Sequence, residues 1–309
     1  MAIVSSVKRI AVLMGGWSTE REVSIRSGKN VAKCLSGMGY SVTEIDVKKD
    51  LRRFTSAIYD AVPDFVFNIL HGTGGEDGVI QGVLEMYGVP YSGSGTLSSA
   101  IAFDKSICKK LARVAGARVA DWIDITEDEI ANINTASGTQ MPYPFVIKPL
   151  ANGSSIGVRP VFNEVDLTRI KNSKWDFGKE VMIERYIPGR EFTVMILNGK
   201  VIGMLEITCK SSFYDYSSKY DAGGSAHIAD FDLPNPVRLE MYAMTEIVYA
   251  ACRCVGIARA DIRYDGKNPY FLEINTQPGM TDQSLVPDIA RLGGGSMESM
   301  LTAIMNAAE

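Results

Sequence analysis

The sequence lacks the features that mark membrane proteins, disulfide-rich secreted proteins and nucleic-acid-binding proteins. It has no run of about 18 apolar residues, so no membrane-spanning helix is predicted. Residues 1–9 lack the apolar stretch and small-residue cleavage site of a secretory signal, so we expect a cytoplasmic protein. The five cysteines are scattered and odd in number, which argues against a disulfide framework. A net charge of -4 provides no basic excess for nucleic acid or an anionic membrane, and it indicates a small-molecule partner.

The standard fingerprints of nucleotide binding and nucleophilic catalysis are also missing. The first glycine-rich loop, residues 15–20, is not GxGxxG, and Gly28 with Lys29 lacks the upstream glycine and the Ser/Thr of a P-loop. The serines and the two histidines form no persuasive Ser-His-Asp set, and nothing marks a nucleophile. Cys252 and Cys254 form only a CxC, which is not zinc-ligand spacing. Serine hydrolase and zinc-site interpretations are therefore disfavoured.

The first third of the chain alternates strand-like and helix-like segments. These are residues 9–14, 23–35, 41–46, 64–70 and 79–86. Such a βαβ pattern predicts a parallel sheet with ligand groups on the loops that follow the strands. A chain of 309 residues is long enough for two or three domains.

The remainder is predicted to be a small α+β unit followed by a second run of strands and helices. The predicted helices are residues 96–114, 236–254 and 296–308. The predicted strands are residues 145–148, 158–161, 181–186, 191–197, 201–207, 259–264 and 269–275. After the strand at residues 201–207 and before the helix at residues 236–254 lies a polar segment, residues 209–232, without periodicity but rich in aromatics. A loop of this length is typical of a functional lid, and we expect it to be mobile until ligand binds.

Two pairs of polar residues on consecutive strands indicate a cation site. Glu273 and Asn275 are two positions apart, so their side chains leave the same strand face, and Arg259 and Asp261 have the same spacing. Two carboxylates, an amide and an arginine at one place resemble a Mg²⁺ and phosphate site. The alternative is a pair of solvated strand faces, which is equally compatible with the spacing alone.

Lys148 and His71 stand beside glycine-rich turns. Lys148 ends an apolar strand and precedes the turn at residues 152–157, where an ammonium and backbone N–H groups can grip phosphates. His71 begins the loop at residues 71–78, which contains four glycines and lets the backbone approach a ligand closely. Each residue taken alone is more often a surface lysine or a structural histidine. His227 is assigned no role.

The motifs in their order resemble those of D-alanine:D-alanine ligases of the ATP-grasp superfamily. The matching stretches are residues 15–24 (GGWSTEREVS), 71–78 (HGTGGEDG), 91–95 (YSGSG), 148–149 (KP), 153–157 (GSSIG), 213–216 (FYDY), 219–220 (KY), 273–281 (EINTQPGMT) and 284–287 (SLVP). The resemblance runs from about residue 9 to the C-terminus. Any one motif is weak, but the ordered set is highly specific.

The resemblance implies an α/β, three-domain ATP-grasp fold with α+β elements in its centre. Residues 1–95 would form a Rossmann-like, parallel-sheet substrate domain, residues 96–187 the central ATP-grasp subdomain, and residues 188–309 the C-terminal ATP-grasp domain with the metal site and the lid. It further implies a homodimer and a role in making bacterial peptidoglycan precursors. The reaction would join two D-alanines through a D-alanyl phosphate, with ATP and two Mg²⁺ (or Mn²⁺).

The resemblance also assigns site residues. ATP would be bound by Lys105, Lys148, Glu184, Ile187, Glu191, Phe213 and Lys219, and the metal ions by Asp261, Glu273 and Asn275. The residues implied in catalysis are Glu20, Ser154, Tyr220, Arg259 and Gly279, and those implied in substrate binding are His71, Ser284 and Leu285. A D-alanine:D-lactate or D-alanine:D-serine ligase is the alternative, against which Lys219 and Tyr220 argue because they resemble the dipeptide-forming type. A non-catalytic nucleotide-binding regulator would be favoured only if a metal ligand were missing.

Overall fold

The structure, a computed structural model, describes residues 6–132, 141–151, 153, 157–173, 178, 180–209 and 225–308. Its first sheet contains β1 (Arg9–Gly15), β2 (Ser41–Val47) and β3 (Phe65–Asn68), which are parallel and in the order β2-β1-β3. The helices of this region are α1 (Arg21–Gly37), α2 (Leu51–Ala61) and α3 (Val79–Tyr87). The central strand β1 is buried at every position after Arg9, as expected for a parallel strand covered on both faces. The predicted βαβ pattern is confirmed.

Helix α2 was not predicted from the sequence. Only Phe54 and Ile58 of this helix are buried, so its apolar face is narrow. Asp50 caps its first turn by accepting a hydrogen bond from the backbone N–H of Arg53.

The prediction of a single helix at residues 96–114 is wrong, because the helix is interrupted at Asp104. Two helices, α4 (Thr96–Phe103) and α5 (Lys105–Val114), lie on either side of this residue. Asp104 has extended backbone angles, and its Oδ1 accepts a hydrogen bond from the N–H of Ile107 at 2.9 Å. A residue that caps a new helix cannot also continue the preceding one. Lys105 therefore becomes the first residue of α5.

The second sheet is antiparallel and has four strands. They are β4 (Trp122–Thr126), β5 (Phe145–Pro149), β6 (Arg159–Val161) and β7 (Glu180–Arg185), in the order β4-β7-β5-β6. The helices α6 (Glu127–Asn132) and α7 (Glu164–Lys171) accompany it, and Asn163 caps α7. Strand β4 was not predicted; it is an edge strand without a fully buried residue, so it lacks a clear apolar alternation.

The third sheet is antiparallel and has five strands. They are β8 (Arg190–Leu197), β9 (Lys200–Cys209), β10 (Ser225–Ile228), β11 (Ile257–Tyr264) and β12 (Pro269–Asn275), in the order β10-β9-β8-β11-β12. Its helices are α8 (Asn235–Ala251), α9 (Leu285–Leu292) and α10 (Met297–Met305). The segment predicted as a loop at 209–232 thus contains the end of β9 and all of β10. Residues 210–224 lie outside the described residues.

The apolar cores are shared between the three parts of the chain. Ala102, Cys108 and Ala112, from α4 and α5, belong to one buried cluster with β8, β11 and β12. Another cluster joins Leu35 of α1 to Leu301 and Ile304 of α10. Cys34, Cys108, Cys252 and Cys254 are free thiols. Among the described helices, none is long and apolar enough to span a membrane.

Candidate active site

The ladder between β11 and β12 brings the two predicted pairs of polar residues face to face. Arg259 lies opposite Asn275, and Asp261 lies opposite Glu273. Residues directly opposite in an antiparallel pair project from the same face, so all four side chains leave one side of the sheet. Arg259 donates through Nη1 to Asp261 and to Thr193 Oγ1, the latter at 3.0 Å. This ion pair is nearly buried, where an unpaired charge would be costly.

Lys105 links this ladder to the central sheet. Its Nζ lies 3.0 Å from Glu273 Oε2, and its backbone N–H donates to Leu150 O at 3.1 Å. The break at Asp104 makes this possible, because it starts α5 at Lys105 beside the strand end. One lysine therefore contacts both the carboxylate ladder and the segment that follows β5.

Asp261, Glu273 and Asn275 offer only oxygen donors. Two carboxylates and an amide oxygen suit a hard cation such as Mg²⁺ or Mn²⁺, and they do not suit zinc. Asn275 Oδ1 is oriented by the backbone N–H of Gln277 at 2.7 Å. Across the ranges that the structure describes, no group of three or more His, Cys, Asp or Glu side chains forms a separate metal cluster. The donor chemistry fits the predicted metal.

Glu20, His71 and Glu76 form an acidic cluster on the N-terminal side. His71 Nδ1 lies 3.4 Å from Glu76 Oε1, and Ser18 Oγ connects the two loops by donating to His71 O and accepting from Glu20 N. Burial lowers the pKa of His71, but the hydrogen bond and charge of Glu76 outweigh it and raise the pKa above its usual value. Burial and the charge of Glu20 raise the pKa of Glu76.

Glycine is required where the backbone approaches Glu20. A Cβ atom on Gly153 would lie 2.4 Å from Glu20 Oε2, and one on Gly72 would lie 3.0 Å from the same atom. Gly72 also has a positive φ of 69°. The turn after β5 and the loop after β3 therefore both close onto this carboxylate.

The chain after β12 leads to the N-terminus of α9. Ser284 is the residue before this helix, and its Oγ accepts from Thr281 N at 3.0 Å and lies 2.8 Å from Thr281 Oγ1. A Cβ on Gly279 would lie 2.9 Å from Ser284 Oγ, so glycine is needed for this close turn. The first N–H groups of α9 have no partner within the helix, which makes its start a site for a carboxylate.

The same loop is fastened to α1. Asn30 Nδ2 donates to Met280 O at 2.8 Å, and Met280 N donates to Ser27 Oγ at 3.2 Å. The Met280 side chain is 2% exposed and belongs to the core that contains α1 and α10. An N-terminal helix therefore holds the C-terminal loop that carries Gly279 and Ser284.

The residues predicted to bind the nucleotide lie between the second and third sheets. Lys148 Nζ donates to Glu184 Oε2 at 2.6 Å, and both side chains are buried. Ile187 is buried in the connection to β8, and Glu191 Oε2 pairs with Arg263 Nη1 at 3.1 Å. A second lysine, Lys109, contacts the other oxygen of Glu184. Sequence analysis did not single it out.

One cleft is lined by nine of the fourteen predicted site residues that the structure describes. The predicted residues that line it are Glu20, His71, Lys105, Arg259, Glu273, Asn275, Gly279, Ser284 and Leu285. Asp261 contacts Arg259 beside it, whereas Lys148, Glu184, Ile187 and Glu191 lie outside this lining. Ser154, Phe213, Lys219 and Tyr220 fall outside the described residues.

The cleft also contains residues that sequence analysis missed, including Arg26, Gln283 and His227. His227 is on β10, and its Nδ1 lies 2.6 Å from Asp288 Oδ2 on α9. Its partner is 61 positions away in the chain, so no local pattern connects the two. The assignment of no role to His227 overlooked this position.

Two family models match most of the chain. Residues 51–94 match the model described as the N-terminus of D-ala D-ala ligase, and residues 111–306 match the model described as its C-terminus. The second match alone covers more than half of the chain.

Known proteins agree with these matches. A D-alanine--D-alanine ligase of Rhodospirillum rubrum is 43% identical, and the alignment covers 98% of each chain. A crystal structure of the D-alanine--D-alanine ligase of Bacillus anthracis has a TM-score of 0.85 at 35% identity over 97% of each chain, and its complex with ATP has a TM-score of 0.83 at 34% identity over 98% of this chain and 97% of that one. The VanG D-Ala:D-Ser ligase of Enterococcus faecalis has a TM-score of 0.81 at 27% identity, over 98% of this chain and 99% of that one. The chain therefore belongs to the D-alanine:D-alanine ligase family and has its ATP-grasp fold.

Proposed function

We propose that the protein joins two D-alanines into D-alanyl-D-alanine at the expense of ATP, through a D-alanyl phosphate. The observation that carries this proposal is the composition of the cleft, which combines an acid for an ammonium (Glu20), a cationic and oxygen-rich ladder for phosphate, and a helix N-terminus for a carboxylate. Each of these groups recognises one part of the reactants. The R. rubrum relative carries the same named activity.

In the first step, a carboxylate oxygen of the first D-alanine attacks the γ-phosphorus of ATP and ADP leaves. Glu20 binds the ammonium of this D-alanine, with His71 beside it. Lys105 and Lys148 contact the phosphates and offset their negative charge. Because charge moves from the γ-phosphate to the leaving oxygen, fixed cations stabilise the transition state more than a solvent that must reorganise.

Asp261, Glu273 and Asn275 would hold two Mg²⁺ (or Mn²⁺) ions, which supply Lewis-acid neutralisation of the phosphate oxygens when bound. Lys105 and Arg259 already contact Glu273 and Asp261, respectively, so the carboxylates are paired with cations and oriented before the metal arrives. The contact between Lys105 and Glu273 also places the Lys105 ammonium where the nucleotide phosphates would meet the metal-binding side chains of β11 and β12.

The adenosine part of ATP would lie at the connection between the second and third sheets. Glu184 and Ile187 meet the edge of the adenine, and Glu191 takes the ribose, while Phe213 and Lys219 complete the binding site. The support for this placement is that Glu184, near the end of β7, and Ile187, in the connection to β8, lie three positions apart, with Lys148 on the strand adjacent to β7.

In the second step, the free amine of the second D-alanine attacks the acyl carbon and inorganic phosphate leaves. Arg259 and the backbone N–H of Gly279 stabilise the tetrahedral oxyanion. The carboxylate of the second D-alanine is bound by Ser284 and Leu285, where the unpaired N–H groups of α9 face it. We infer that Ser154 and Tyr220, which the resemblance links to Glu20, act with the lid to exclude water that would hydrolyse the acyl phosphate.

The organisation around this site is proposed as follows. Residues 1–95, 96–187 and 188–309 form three domains, each with one of the three sheets. The protein acts in the cytoplasm, where ATP is available, and supplies peptidoglycan precursor synthesis. It works as a homodimer, which the exposed apolar residues Val79, Met86 and Leu97 on the packed helices α3 and α4 support.

The direct test measures ADP release with ATP and Mg²⁺ in the presence of D-alanine, L-alanine, D-serine or D-lactate, with product identification by mass spectrometry. We expect release with D-alanine alone and a product with the mass of the dipeptide. Lys110→Met changes an exposed lysine on α5, so it should release ADP as the wild type does and serves as the control for other substitutions on this helix. Absence of D-alanine-dependent ADP release from folded protein would overturn the proposal.

The acceptor is tested by competition between D-alanine and D-lactate from about pH 6 to 9. D-alanine must lose a proton from its ammonium before attack, so the dipeptide fraction rises with pH as deprotonation becomes easier. We expect the dipeptide to dominate throughout. Predominant D-alanyl-D-lactate at pH 7 would assign the chain to a depsipeptide-forming member of the same fold.

A further inference from the structure

Lys109 is a lysine without any exposed surface. Its side chain is 0% exposed, although Lys110, the next residue on α5, is 62% exposed. Removing an ammonium from water costs several kcal/mol unless strong partners compensate for it. Lys109 has three such partners: Glu184 Oε1, the Phe271 carbonyl at 3.1 Å and the face of Trp122 at 5.8 Å.

Glu184 lies between two lysines, one at each carboxylate oxygen. Oε1 contacts Lys109 and Oε2 contacts Lys148. Burial alone raises the pKa of Glu184, but the charges of Lys109 and Lys148 outweigh it and hold the pKa below its usual value. The carboxylate is therefore ionised, and as an anion it only accepts hydrogen bonds.

The two lysines differ in how firmly they are held beside Glu184. Lys148 is on β5, beside the turn that leads to Gly153 and the cleft, and its Nζ donates to Glu184 Oε2. Lys109 is fixed on three sides by groups from β7, β12 and β4. When phosphates attract Lys148, one oxygen of Glu184 is released while the other stays bound to Lys109.

We propose that Lys109 is a positioning residue for nucleotide selection, which holds Glu184 as an ionised acceptor for the 6-amino group of adenine and against 6-oxo purines. This inference rests on the proposed placement of adenine at Glu184. A 6-amino purine donates a hydrogen bond to the released oxygen. A 6-oxo purine presents a carbonyl oxygen there, and the carboxylate repels it because neither atom has a hydrogen to donate.

Loss of the Lys109 charge changes what Glu184 is able to do. Lys148 then remains the one lysine that neutralises Glu184, so it either stays with the carboxylate and leaves the phosphates, or it moves and leaves a buried carboxylate without a counter-ion. A carboxylate in the second state takes up a proton, and the neutral acid donates to a 6-oxo group. Both routes weaken ATP binding and narrow the preference for adenine, because in the first route the Glu184 oxygen is not released to accept from the 6-amino group.

The experiment measures binding of Mg·ATP and Mg·ITP by calorimetry without D-alanine, in the wild type, Lys109→Met, Lys109→Gln and the matched control Lys110→Met. We expect Lys109→Met to lower ATP affinity by at least about tenfold and to narrow the ratio of ATP to ITP affinity, as loss of one partner of a buried charge pair does. Lys110→Met should leave both unchanged. Lys109→Gln keeps a donor for the Phe271 carbonyl without the charge, so it should behave like Lys109→Met and provides a second variant if methionine does not fold.

A double-mutant cycle with Glu184→Gln separates positioning from packing. A neutral amide at 184 needs no counter-ion, so Lys109→Met should change ATP affinity less than about twofold in that background. Equal effects of Lys109→Met in both backgrounds, or an unchanged ATP to ITP ratio in folded protein, would overturn the proposal. Because binding is measured without D-alanine, these outcomes are independent of whether D-alanine is the substrate, which ADP release decides.

Discussion

At the residue scale, the carboxylates of the candidate site are held by cations before any ligand is present. Glu273 has Lys105 at 3.0 Å, and Asp261 has Arg259. Pairs of this kind orient the carboxylates, and they add weakly to stability because desolvation offsets the attraction. We infer that they have a functional rather than a stabilising role.

Glu273→Gln tests this inference. The substitution keeps the shape of the side chain and removes the charge that a metal ion requires, so we expect kcat to fall by about a hundredfold or more with little change in the melting temperature. The assay is D-alanine-dependent ADP release over a range of Mg²⁺ concentrations. Glu246→Gln, at an exposed position on α8, is the control. Near-normal kcat at saturating Mg²⁺ would remove Glu273 from the metal site.

The lowered pKa of Asp64 predicts how one contribution to the free energy of unfolding changes with pH. The hydrogen bonds from the Arg9 side chain and from the Arg9 and Lys8 backbone lower its pKa from 3.8 to about 2. A depressed folded-state pKa stabilises the protein above the unfolded pKa, and this contribution is lost as the pH falls through the folded pKa. The difference in unfolding free energy between the wild type and Asp64→Asn should therefore be constant above about pH 5 and shrink between about pH 4 and 2.

Urea unfolding at several pH values measures this difference. Asp60→Asn, at an exposed position on α2, is the control and should give no comparable trend. A difference between wild type and Asp64→Asn that grows as the pH falls would contradict the assigned sign.

At the element scale, a single residue decides where Lys105 is placed. Asp104 ends α4 and caps α5, so Lys105 begins a helix directed at Glu273 instead of continuing an exposed face. Asp104→Ala should lower the unfolding free energy by about 1 kcal/mol, the usual cost of losing an N-cap. It should also raise the KM for ATP more than the KM for D-alanine, because Lys105 follows the cap.

Asp104→Asn is the matched variant, since asparagine caps helices about as well as aspartate. Equilibrium unfolding and steady-state kinetics of both variants make the comparison. If Asp104→Asn loses as much stability as Asp104→Ala, the side-chain oxygen is not what sets the start of α5.

Local sequence patterns predicted the helices and strands that have a clear pattern of apolar residues. They missed features that depend on contacts with residues far away in the chain. β12 was predicted with its bounds, because its short apolar-rich run is flanked by turn residues, DGKN before it and TQPG after it. The break at Asp104 was missed because, in the sequence, an aspartate that caps a helix looks the same as an aspartate on the polar face of one continuous amphipathic helix. Lys109 shares a helix face with Lys105, four positions earlier, but its partners lie on three other elements. The assigned roles of the site residues stay predictions until variants are assayed.

At the scale of the whole molecule, two buried clusters join helices from earlier parts of the chain to the C-terminal part, whereas the second sheet has a cluster of its own. Leu35 of α1 packs in one cluster with Leu301 of α10, and Cys108 of α5 packs with the third sheet. Apolar residues remain exposed on α3 and α4, where Val79 is 54%, Met86 is 91% and Leu97 is 55% exposed. Large apolar side chains grouped on one surface indicate a protein interface, and a second copy of the chain is the proposed occupant.

Met86→Glu tests the dimer. In a two-fold interface the substitution places two buried charges near each other, so we expect a monomer where the wild type is a dimer. Sedimentation velocity at several protein concentrations gives the mass. Leu239→Glu changes a residue that is 57% exposed on α8 and should leave the dimer intact. Dissociation by Leu239→Glu and not by Met86→Glu would move the interface to α8.

The loop that carries Gly279, Met280 and Ser284 is attached to α1, and this attachment determines how its backbone amide hydrogens exchange with solvent. A loop of this kind ordinarily exchanges through small local openings within seconds to minutes, but Met280 N is hydrogen-bonded to Ser27 Oγ and its side chain is 2% exposed. Exchange at Met280 then requires α1 to separate from the loop. Its protection should rise and fall with that of the α1 amides, and the loop behaves as part of the N-terminal unit although it lies more than 200 positions later in the chain.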